Sequence, residues 1–380
     1  MGERLRTEVL TEPAGLARLR AEWDALAVAA ARPYCAPGWA LPWWSAVRPP
    51  GAELRAVAVW DDAVLVGMAP CYVTRDRFGI ATWRLLADVT SSFVEPVAAP
   101  GRRVEVATAI AGALREADPD VDVLSMSAVP QAGGWAALLR QEWAGWRPAL
   151  APVSTTRAPY VDLPDGGYEA WLSGRSRNFR QQVRARQREF ARAGGAFRRA
   201  VTPDEVAATV GDFVRLHLDR WQQRGGSSAL SPAVVDMLHQ VARSLDPARL
   251  HLWTADVGGT AVGTALLVAA GDEVHYWLGG FDEDWARCSP SLLLLVEAVR
   301  HAAQSGYRRL SLGPGTGSYK YRMATGEETL VAVDLLPHGM RFPYVRLCQS
   351  PYRFYRLAAN RTPPEVKRRL RAPLAAMTGR

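Results

Sequence analysis

The spacing of apolar residues in the first 150 positions changes repeatedly between the helical and the strand period. Residues 13–30 carry an apolar face at helical spacing, whereas 54–60 and 63–73 predict a hairpin around the polar turn Asp61-Asp62. Further strands are predicted at 83–88 and 121–129, and further helices at 103–117 and 133–143. The first part of the chain is therefore predicted to be a mixed α/β unit.

The second half shows a similar mixture in a longer form. A strand at 159–163 precedes one or two arginine-rich helices, and the capping box Thr202-Pro203-Asp204-Glu205 predicts another helix to about 223. Ser231-Pro232 opens a further helix. The remaining elements are predicted as a three-strand antiparallel meander at 249–257, 260–270 and 273–281, a helix at 291–306 and strands at 308–313 and 329–336.

The order of elements is alike in the two halves, although no close sequence repeat is visible. It predicts two α/β units, each with a mixed, mainly antiparallel sheet flanked by helices. We place an N-terminal unit at 1–155, a C-terminal unit at 156–340 and a basic tail at 341–380.

The charge of the chain is concentrated in two segments. The net charge is +8, whereas 172–200 alone carries nine arginines and one acid, and 351–380 carries eight basic residues and one acid. Two basic segments on a mildly acidic body indicate local contacts with phosphate groups. The alternative is that both are ordinary solvated helix faces.

Several classes of protein are disfavoured by the sequence. The four cysteines are far apart, and the first ten residues lack the apolar core of a signal peptide. No run of about 18 apolar residues predicts a membrane span, and neither H-x-x-x-H, H-E-x-x-H nor G-x-S-x-G occurs. We expect a cytoplasmic protein without a metal.

The glycine-rich stretch 311–325, SLGPGTGSYKYRMAT, looks at first like a phosphate cradle. A P-loop requires G-x-x-x-x-G-K-[ST], and neither Gly313 nor Gly315 starts that pattern, since Ser318 and Lys320 stand where the second glycine is needed. No helix clearly begins at Lys320 either. The stretch is predicted to be a turn that leaves a strand and presents Tyr319 and Lys320.

Motifs spread over about 20–335 resemble the GNAT acyltransferase superfamily, in the branch with two tandem domains: the Fem-type aminoacyltransferases and the BioF- and CelD-like acetyltransferases. The matching residues are Trp23 with Pro37–Trp44, Arg175–Arg188, Leu216-His217 with Arg220-Trp221, Gly279–Asp282 with Ser289-Pro290, and Tyr319-Lys320. The chain departs from the family at Ser291, where glycine is usual, and near Ser311, where an acidic residue is frequent.

The resemblance implies two tandem GNAT-like domains and an acyl-CoA co-substrate. Its pyrophosphate would bind the start of the 291–306 helix, because the first N–H groups of a helix are unpaired and its dipole is positive there. The implied cofactor-binding residues are Arg287, Ser289, Ser291 and Leu292, with Arg180 and Arg184 of the arginine-rich segment. The alternative for Ser289-Pro290 is a plain helix cap.

The resemblance also implies catalytic roles. Tyr319 would protonate the leaving thiolate, and Lys320 would stabilise an oxyanion or bind a phosphate. His217, Arg220 and Trp221 share one helix face, but a lone histidine on such a face is more often a core residue. The base stays open between His217, His275, Asp282, Asp284 and water. The expected substrate-binding residues are Arg220, Trp221, Tyr276, Trp277, Asp282, Tyr321, Trp43 and Trp44.

Three functions are consistent with this sequence. The first is an N-acyltransferase that moves an acyl group from acyl-CoA to the amine of a small molecule or peptide. The second is an aminoacyl-tRNA-dependent transferase of the Fem type, which the two basic segments favour. The third is a degenerate, non-catalytic GNAT pair that binds or scaffolds, which Ser291 and the missing glycines favour.

Overall fold

The computed structural model describes residues 5–118, 120–132, 134–142, 147–148, 154–222, 226–227, 229–315, 317–336 and 341–348. Most of the tail placed at 341–380 lies outside these residues. Only a helix over 342–348 is described there.

The first half contains nine strands, five α-helices and one 3-10 helix among the described residues. They are β1 (Arg6–Leu10), α1 (Pro13–Arg18), α2 (Arg20–Ala29), η1 (Pro33–Cys35), α3 (Pro37–Ala46), β2 (Glu53–Leu54), β3 (Ala56–Asp61), β4 (Val64–Ala69), β5 (Cys71–Arg75), β6 (Ala81–Leu85), β7 (Val97–Ala98), α4 (Arg103–Ala117), β8 (Val123–Pro130), α5 (Trp135–Glu142) and β9 (Arg147–Pro148). The predicted helix at 13–30 is two helices that meet at Leu19.

The second half begins with a long strand and ends with another. Its elements are β10 (Ser154–Asp162), α6 (Gly167–Ser173), α7 (Arg177–Arg192), β11 (Gly195–Arg199), α8 (Pro203–Gln222), α9 (Pro232–Ser244), β12 (Leu250–Val257), β13 (Thr260–Ala270), β14 (Glu273–Phe281), η2 (Glu283–Cys288), α10 (Pro290–Gln304), β15 (Arg309–Ser311), α11 (Ser318–Met323) and β16 (Gly326–Leu336).

Local signals in this half are reproduced, with one exception. Thr202 Oγ1 accepts from the Glu205 amide, and the Glu205 carboxylate accepts from the Thr202 amide, so the predicted capping box is present. Ser231 caps α9 in the same way, through the Val234 amide. The expectation that no helix begins near Lys320 is wrong, because α11 covers Ser318–Met323.

The two halves share one sheet. The larger sheet has the order β11-β12-β13-β14-β15-β10-β16-β8-β6-β5-β2, with β9 beside β16. A second sheet has the order β1-β3-β4-β7. β16 pairs antiparallel with β10 on one side and with β8 on the other, so it connects the C-terminal half directly to the N-terminal half.

One arrangement occurs in both halves. β6 pairs with β8 in parallel and β14 pairs with β15 in parallel, whereas the other pairs described are antiparallel. A parallel pair needs a crossover, and α4 and α10 lie between the respective strands in the chain. The predicted fold class, two mixed α/β units with mainly antiparallel sheets, is confirmed.

Large aromatic side chains fill the interior. Six of the fourteen tryptophans are among the largest fully buried side chains: Trp23, Trp39, Trp43, Trp83, Trp135 and Trp171. Burial of such large rings contributes strongly to stability. One apolar cluster includes residues of the N-terminal half together with α8 and α9, and a second surrounds α10.

Candidate active site

A wedge opens in the larger sheet where β14 and β15 separate. The two strands pair in parallel only from Glu273 with Arg309 to His275 with Ser311. β14 then continues to Phe281, whereas the segment after β15 turns away at Gly313, whose φ is +68°. A Cβ at Gly313 would lie 2.9 Å from the carbonyl oxygen of Tyr276, so this close approach requires glycine.

A cavity of about 480 Å³ lies at this wedge. The C-terminal half contributes residues of β14 and of the loop before α11, and the N-terminal half contributes the loop after β6. The lining residues are Tyr34, Val47, Val89, Thr90, Ser91, Ser92, Phe93, Ala229, Ser231, Val234, His275, Tyr276, Trp277, Leu278, Ser311, Gly313, Pro314 and Lys320. Cavities of this size hold small molecules in many proteins.

A β-bulge in β14 shapes the wall that contains Trp277. Leu266 pairs with Leu278 and Leu267 pairs with Tyr276, so Trp277 is the extra residue. Its indole Nε1 donates to the Thr90 carbonyl oxygen at 3.1 Å. The bulge thereby ties β14 to the loop that forms the opposite wall.

Lys320 is the buried cation of the cavity. Its side chain lies on α11, and the residue is only 9% exposed. The ammonium donates to the carbonyl oxygens of Gly313 at 3.3 Å and Pro314 at 3.0 Å. Burial lowers the pKa of Lys320 to about 8. An ammonium has three N–H donors, so one is left for a ligand in the cavity.

Two tyrosines form a hydrogen-bonded pair beside Lys320. The Tyr276 and Tyr319 hydroxyls are hydrogen-bonded to each other, and burial raises the pKa of both phenols. The ring of Tyr276 also faces the Lys320 ammonium, with Nζ 5.5 Å from the ring centroid. The pair uses one of its two hydroxyl protons, which leaves the other for a further acceptor.

His217 has both ring nitrogens engaged. Nδ1 lies 3.1 Å from the carbonyl oxygen of Gly279 and Nε2 lies 2.9 Å from Ser227 Oγ. Burial, with Arg220 nearby, lowers the pKa of His217. This histidine holds α8 against β14 and has no free nitrogen to accept a substrate proton.

The other predicted residues of α8 lie on the outer side of the same region. The Arg220 guanidinium stacks over the Phe281 ring at 4.1 Å and its Nε is 3.5 Å from Glu283. Trp221 is 37% exposed, and neither residue lines the cavity.

The predicted phosphate position at the start of α10 offers few free amides. Pro290 has no N–H, and the amides of Leu292 and Leu293 both donate to the Ser289 carbonyl oxygen. Among the described residues of this turn, the amide of Ser291 is the one with no backbone acceptor. The Arg287 side chain is 74% exposed, with Nε 3.9 Å from a Glu189 carboxylate oxygen.

The predicted arginines of α7 differ in their surroundings. One guanidinium nitrogen of Arg180 donates to the carbonyl oxygens of Ser173 and Arg175, which caps the preceding turn. Arg184 is exposed. Neither belongs to the cavity lining.

Besides Arg220 and Trp221, four further predicted substrate-binding residues do not line the cavity. Trp43 and Trp44 are buried in the core, where both rings pack against Tyr72 at 5.4 Å and 6.0 Å between centroids. Their position on α3 directs them inward, which corrects the expectation that they shape an acceptor pocket. Tyr321 is 40% exposed, and Asp282 caps η2 by accepting from the Asp284 amide.

Sequence reasoning missed the N-terminal wall of the cavity, residues Val89–Phe93 and Tyr34. The only local signal was the hydroxyl run Thr90-Ser91-Ser92 directly after a predicted strand. In the ranges that the structure describes, no helix is long and apolar enough to cross a membrane. The same ranges hold no group of three or more potential metal ligands.

Comparison with known proteins agrees with this geometry. Residues 177–321 match the acetyltransferase (GNAT) domain family. The solved structure of FemX is 12% identical, covers 87% of this chain and 96% of its own, and superposes with a TM-score of 0.60. A conserved protein of unknown function from Bacteroides thetaiotaomicron is 8% identical, with 88% and 100% covered and a TM-score of 0.55. No curated protein matches the chain.

These matches concern the fold. Residues 177–321 match the acetyltransferase (GNAT) domain family, and the fold of most of the chain is similar to that of FemX. The expected resemblance to the tandem, Fem-like branch is thereby confirmed at the level of fold.

Proposed function

We propose that this protein is an N-acyltransferase that joins an acyl group to the amine of a small molecule or peptide in the wedge between β14 and β15. The observation that carries the proposal is the buried Lys320 ammonium in a cavity of about 480 Å³ at the point where the two strands part. A fixed cation in a low-dielectric cavity stabilises developing negative charge more strongly than water does.

Lys320 and Tyr319 act at different steps of the proposed transfer. The amine nitrogen attacks the acyl carbonyl carbon, and the free N–H of Lys320 stabilises the resulting oxyanion. The bond from carbon to the leaving group then breaks, and the Tyr319 phenol donates its proton to that group. The hydrogen bond from Tyr276 stabilises the Tyr319 phenolate until it is reprotonated.

An acyl-CoA is the first donor that we propose. Arg287 and the Ser291 amide would receive its phosphates, with Ser289, Leu292, Arg180 and Arg184 in the surrounding surface. The acyl end would lie in the wedge next to Lys320. The test is acetyl-CoA binding by calorimetry, which we expect to weaken at least tenfold in Arg287→Ala.

An aminoacyl-tRNA is the second donor, and a specific surface favours it. Four exposed arginines of α7, at intervals of seven, four and four residues, lie along one side of the helix: Arg177, Arg184, Arg188 and Arg192. Among the described ion pairs none involves these four side chains, whereas Arg186 pairs with Glu189. Such a stripe suits the phosphates of a polynucleotide.

One experiment separates the donors. The purified protein is incubated with acetyl-CoA or with alanyl-tRNA, together with a panel of primary amines, and products are identified by mass spectrometry. Transfer from acetyl-CoA supports the first donor. Transfer from alanyl-tRNA that declines steeply with salt and is reduced in the double variant Arg184→Gln/Arg188→Gln supports the second.

Variants of α11 connect the product to the site. Lys320→Met should abolish transfer, whereas Arg322→Met, a change of an exposed cation on the same helix, should not. Binding of either donor without any product in the wild-type protein would instead support a non-catalytic binding protein.

A further inference from the structure

His275 occupies the closed end of the wedge. It is the last residue of β14 that pairs with β15, it is 1% exposed, and it belongs to the cavity lining. Its Nε2 lies 3.0 Å from Glu273 Oε2, two residues earlier on the same strand. Its Nδ1 is buried and has no hydrogen-bond partner among the described residues.

The tautomer of His275 follows from its partner. Burial raises the pKa of Glu273, but the hydrogen bond from His275 and the nearby Arg32 and Arg309 guanidiniums outweigh burial and lower it. Glu273 is therefore a carboxylate that only accepts, so the proton of the neutral ring is on Nε2. Nδ1 is left as an unprotonated acceptor.

The surroundings of the ring keep it neutral. Tyr34 and Phe93 pack edge-on against it, at 5.8 Å and 5.0 Å between centroids. Burial lowers the pKa of His275, and the Arg32 and Arg309 charges add to this effect, while Glu273 opposes it. The charged and titratable groups around the ring are Glu273, Arg32, Arg309 and Tyr34, with Glu95 bound to Arg32 and Glu328 near Glu273.

An unpaired acceptor such as His275 Nδ1 at a buried position is unfavourable for the stability of the folded protein. A buried polar atom without a partner costs about 1–3 kcal/mol. His275 Nδ1 is one of several such side-chain atoms among the described residues, and the only one of them on a residue that lines the cavity. A purely structural side chain between Tyr34 and Phe93 would not need this nitrogen. A donor from a bound substrate would satisfy it.

We propose that His275, oriented by Glu273, is the general base that accepts the proton of the acceptor amine through Nδ1. The inference rests on the proposed acyl transfer and assigns the base of that same site. As the amine nitrogen bonds to the acyl carbon, one N–H bond breaks and its proton moves to Nδ1. The imidazolium formed is stabilised by the Glu273 carboxylate, which is a positioning residue.

The carboxamide of glutamine can replace the Nε2–H donor to Glu273 but has no equivalent of the Nδ1 acceptor. We therefore expect His275→Gln to fold like the wild type and to lose about 10²–10⁴-fold in kcat/KM. The matched control is His251→Gln, which alters another buried histidine, bonded through Nε2 to the Ala248 carbonyl oxygen outside the cavity. The probes are the donor and amine that give product in the mass-spectrometric test.

The pH profile separates a base from a structural residue. In the wild type, kcat/KM should show an acidic limb that lies below the ordinary pKa range of an imidazole, because burial lowers the pKa of His275 and the ring binds a proton only there. This acidic limb should vanish in His275→Gln and shift to lower pH in Glu273→Gln, which removes the charge that favours the imidazolium. An unchanged rate or an unchanged limb in His275→Gln would overturn the assignment.

A second measurement does not require turnover. The ¹⁵N spectrum of labelled histidine, assigned with His275→Gln, should show Nε2 protonated and Nδ1 unprotonated at pH 7.5. If Nδ1 carries the proton instead, His275 is not the general base, even if acyl transfer is established. If the wild-type protein transfers no acyl group, the proposed function is wrong. If the wild type is active and His275→Gln is equally active, only the assignment of His275 as the base is wrong.

Discussion

The ammonium of Lys320 donates a 3.0 Å hydrogen bond to the carbonyl oxygen of Pro314, and none of the ion pairs described for the chain gives it a carboxylate. The charge is thus held by peptide dipoles and the face of the Tyr276 ring rather than by a described carboxylate, which is an unusual way to keep a buried cation. Such a group is unfavourable for stability and favourable for binding an oxyanion.

We expect Lys320→Met to be more stable than the wild type at pH 7 and inactive. Folding lowers the pKa of Lys320 from 10.5 to about 8, so the unfolded chain binds more protons between these values. The destabilisation, at most about 3 kcal/mol, is fully present below pH 8 and disappears above pH 10.5. Urea unfolding at pH 7 and at pH 10 should show the difference shrinking with pH. A stability difference between Lys320→Met and the wild type that is the same at pH 7 and at pH 10 would contradict the lowered pKa of Lys320.

Activity should decline above about pH 8. In the proposed mechanism the oxyanion is stabilised by the protonated form of Lys320, and that form disappears as pH rises through about 8. Lys320→Arg stays charged at all these pH values, so whatever rate it retains should lack this basic limb. The measurement is kcat/KM between pH 6 and 10. A basic limb retained in Lys320→Arg would assign it to another group.

The Tyr319 hydroxyl is expected to matter more than that of its neighbour Tyr321. Tyr319→Phe removes the proton donor and the acceptor of the Tyr276 hydrogen bond, so kcat should fall about 10²-fold or more. Tyr321 is exposed, and Tyr321→Phe should leave kcat within a factor of two. The contrast is read from initial rates with the same donor and amine. Similar rates for Tyr319→Phe and the wild type would remove Tyr319 from the mechanism.

Gly280 allows α8 to lie directly on β14. A Cβ at this position would be 2.5 Å from the backbone nitrogen of His217, so Gly280→Ala should destabilise the protein by several kcal/mol. Gly211 lies on the same helix with nothing within 4 Å of its Cβ position. Gly211→Ala should therefore stabilise by about 0.5–1 kcal/mol, because alanine favours the helix. Thermal unfolding of both variants tests this prediction. If both variants were stabilised, or both destabilised, the packing described for Gly280 and Gly211 would be contradicted.

Local signals were sufficient for most elements of the C-terminal half. The capping box at Thr202, the glycine turns of the meander and the proline at the start of α10 each specify a structure within a few residues. α11 was missed because it is only six residues long and is stabilised from outside, through the Trp171 indole that donates to the Met323 carbonyl oxygen. That contact joins residues far apart in the sequence.

The site itself was predictable only in part. Tyr319 and Lys320 stood out as a pair after a strand, but their relation to Val89–Phe93 depends on how the two halves meet. His217 drew attention as a residue type, and only its contacts with Gly279 and Ser227 show that it is fully bonded. His275 was recognised by the opposite observation, a ring nitrogen that has no hydrogen-bond partner in the part of the chain that the structure describes.

The double pairing of β16 has a consequence for how the protein is made. β8 belongs to the N-terminal half, yet β16, the strand that pairs with its other edge, follows all the other named elements in the chain. On the ribosome the first half therefore has an unpaired strand edge until Gly326–Leu336 has emerged. Such edges attract other chains, so the nascent first half exposes a site for aggregation until β16 pairs with β8.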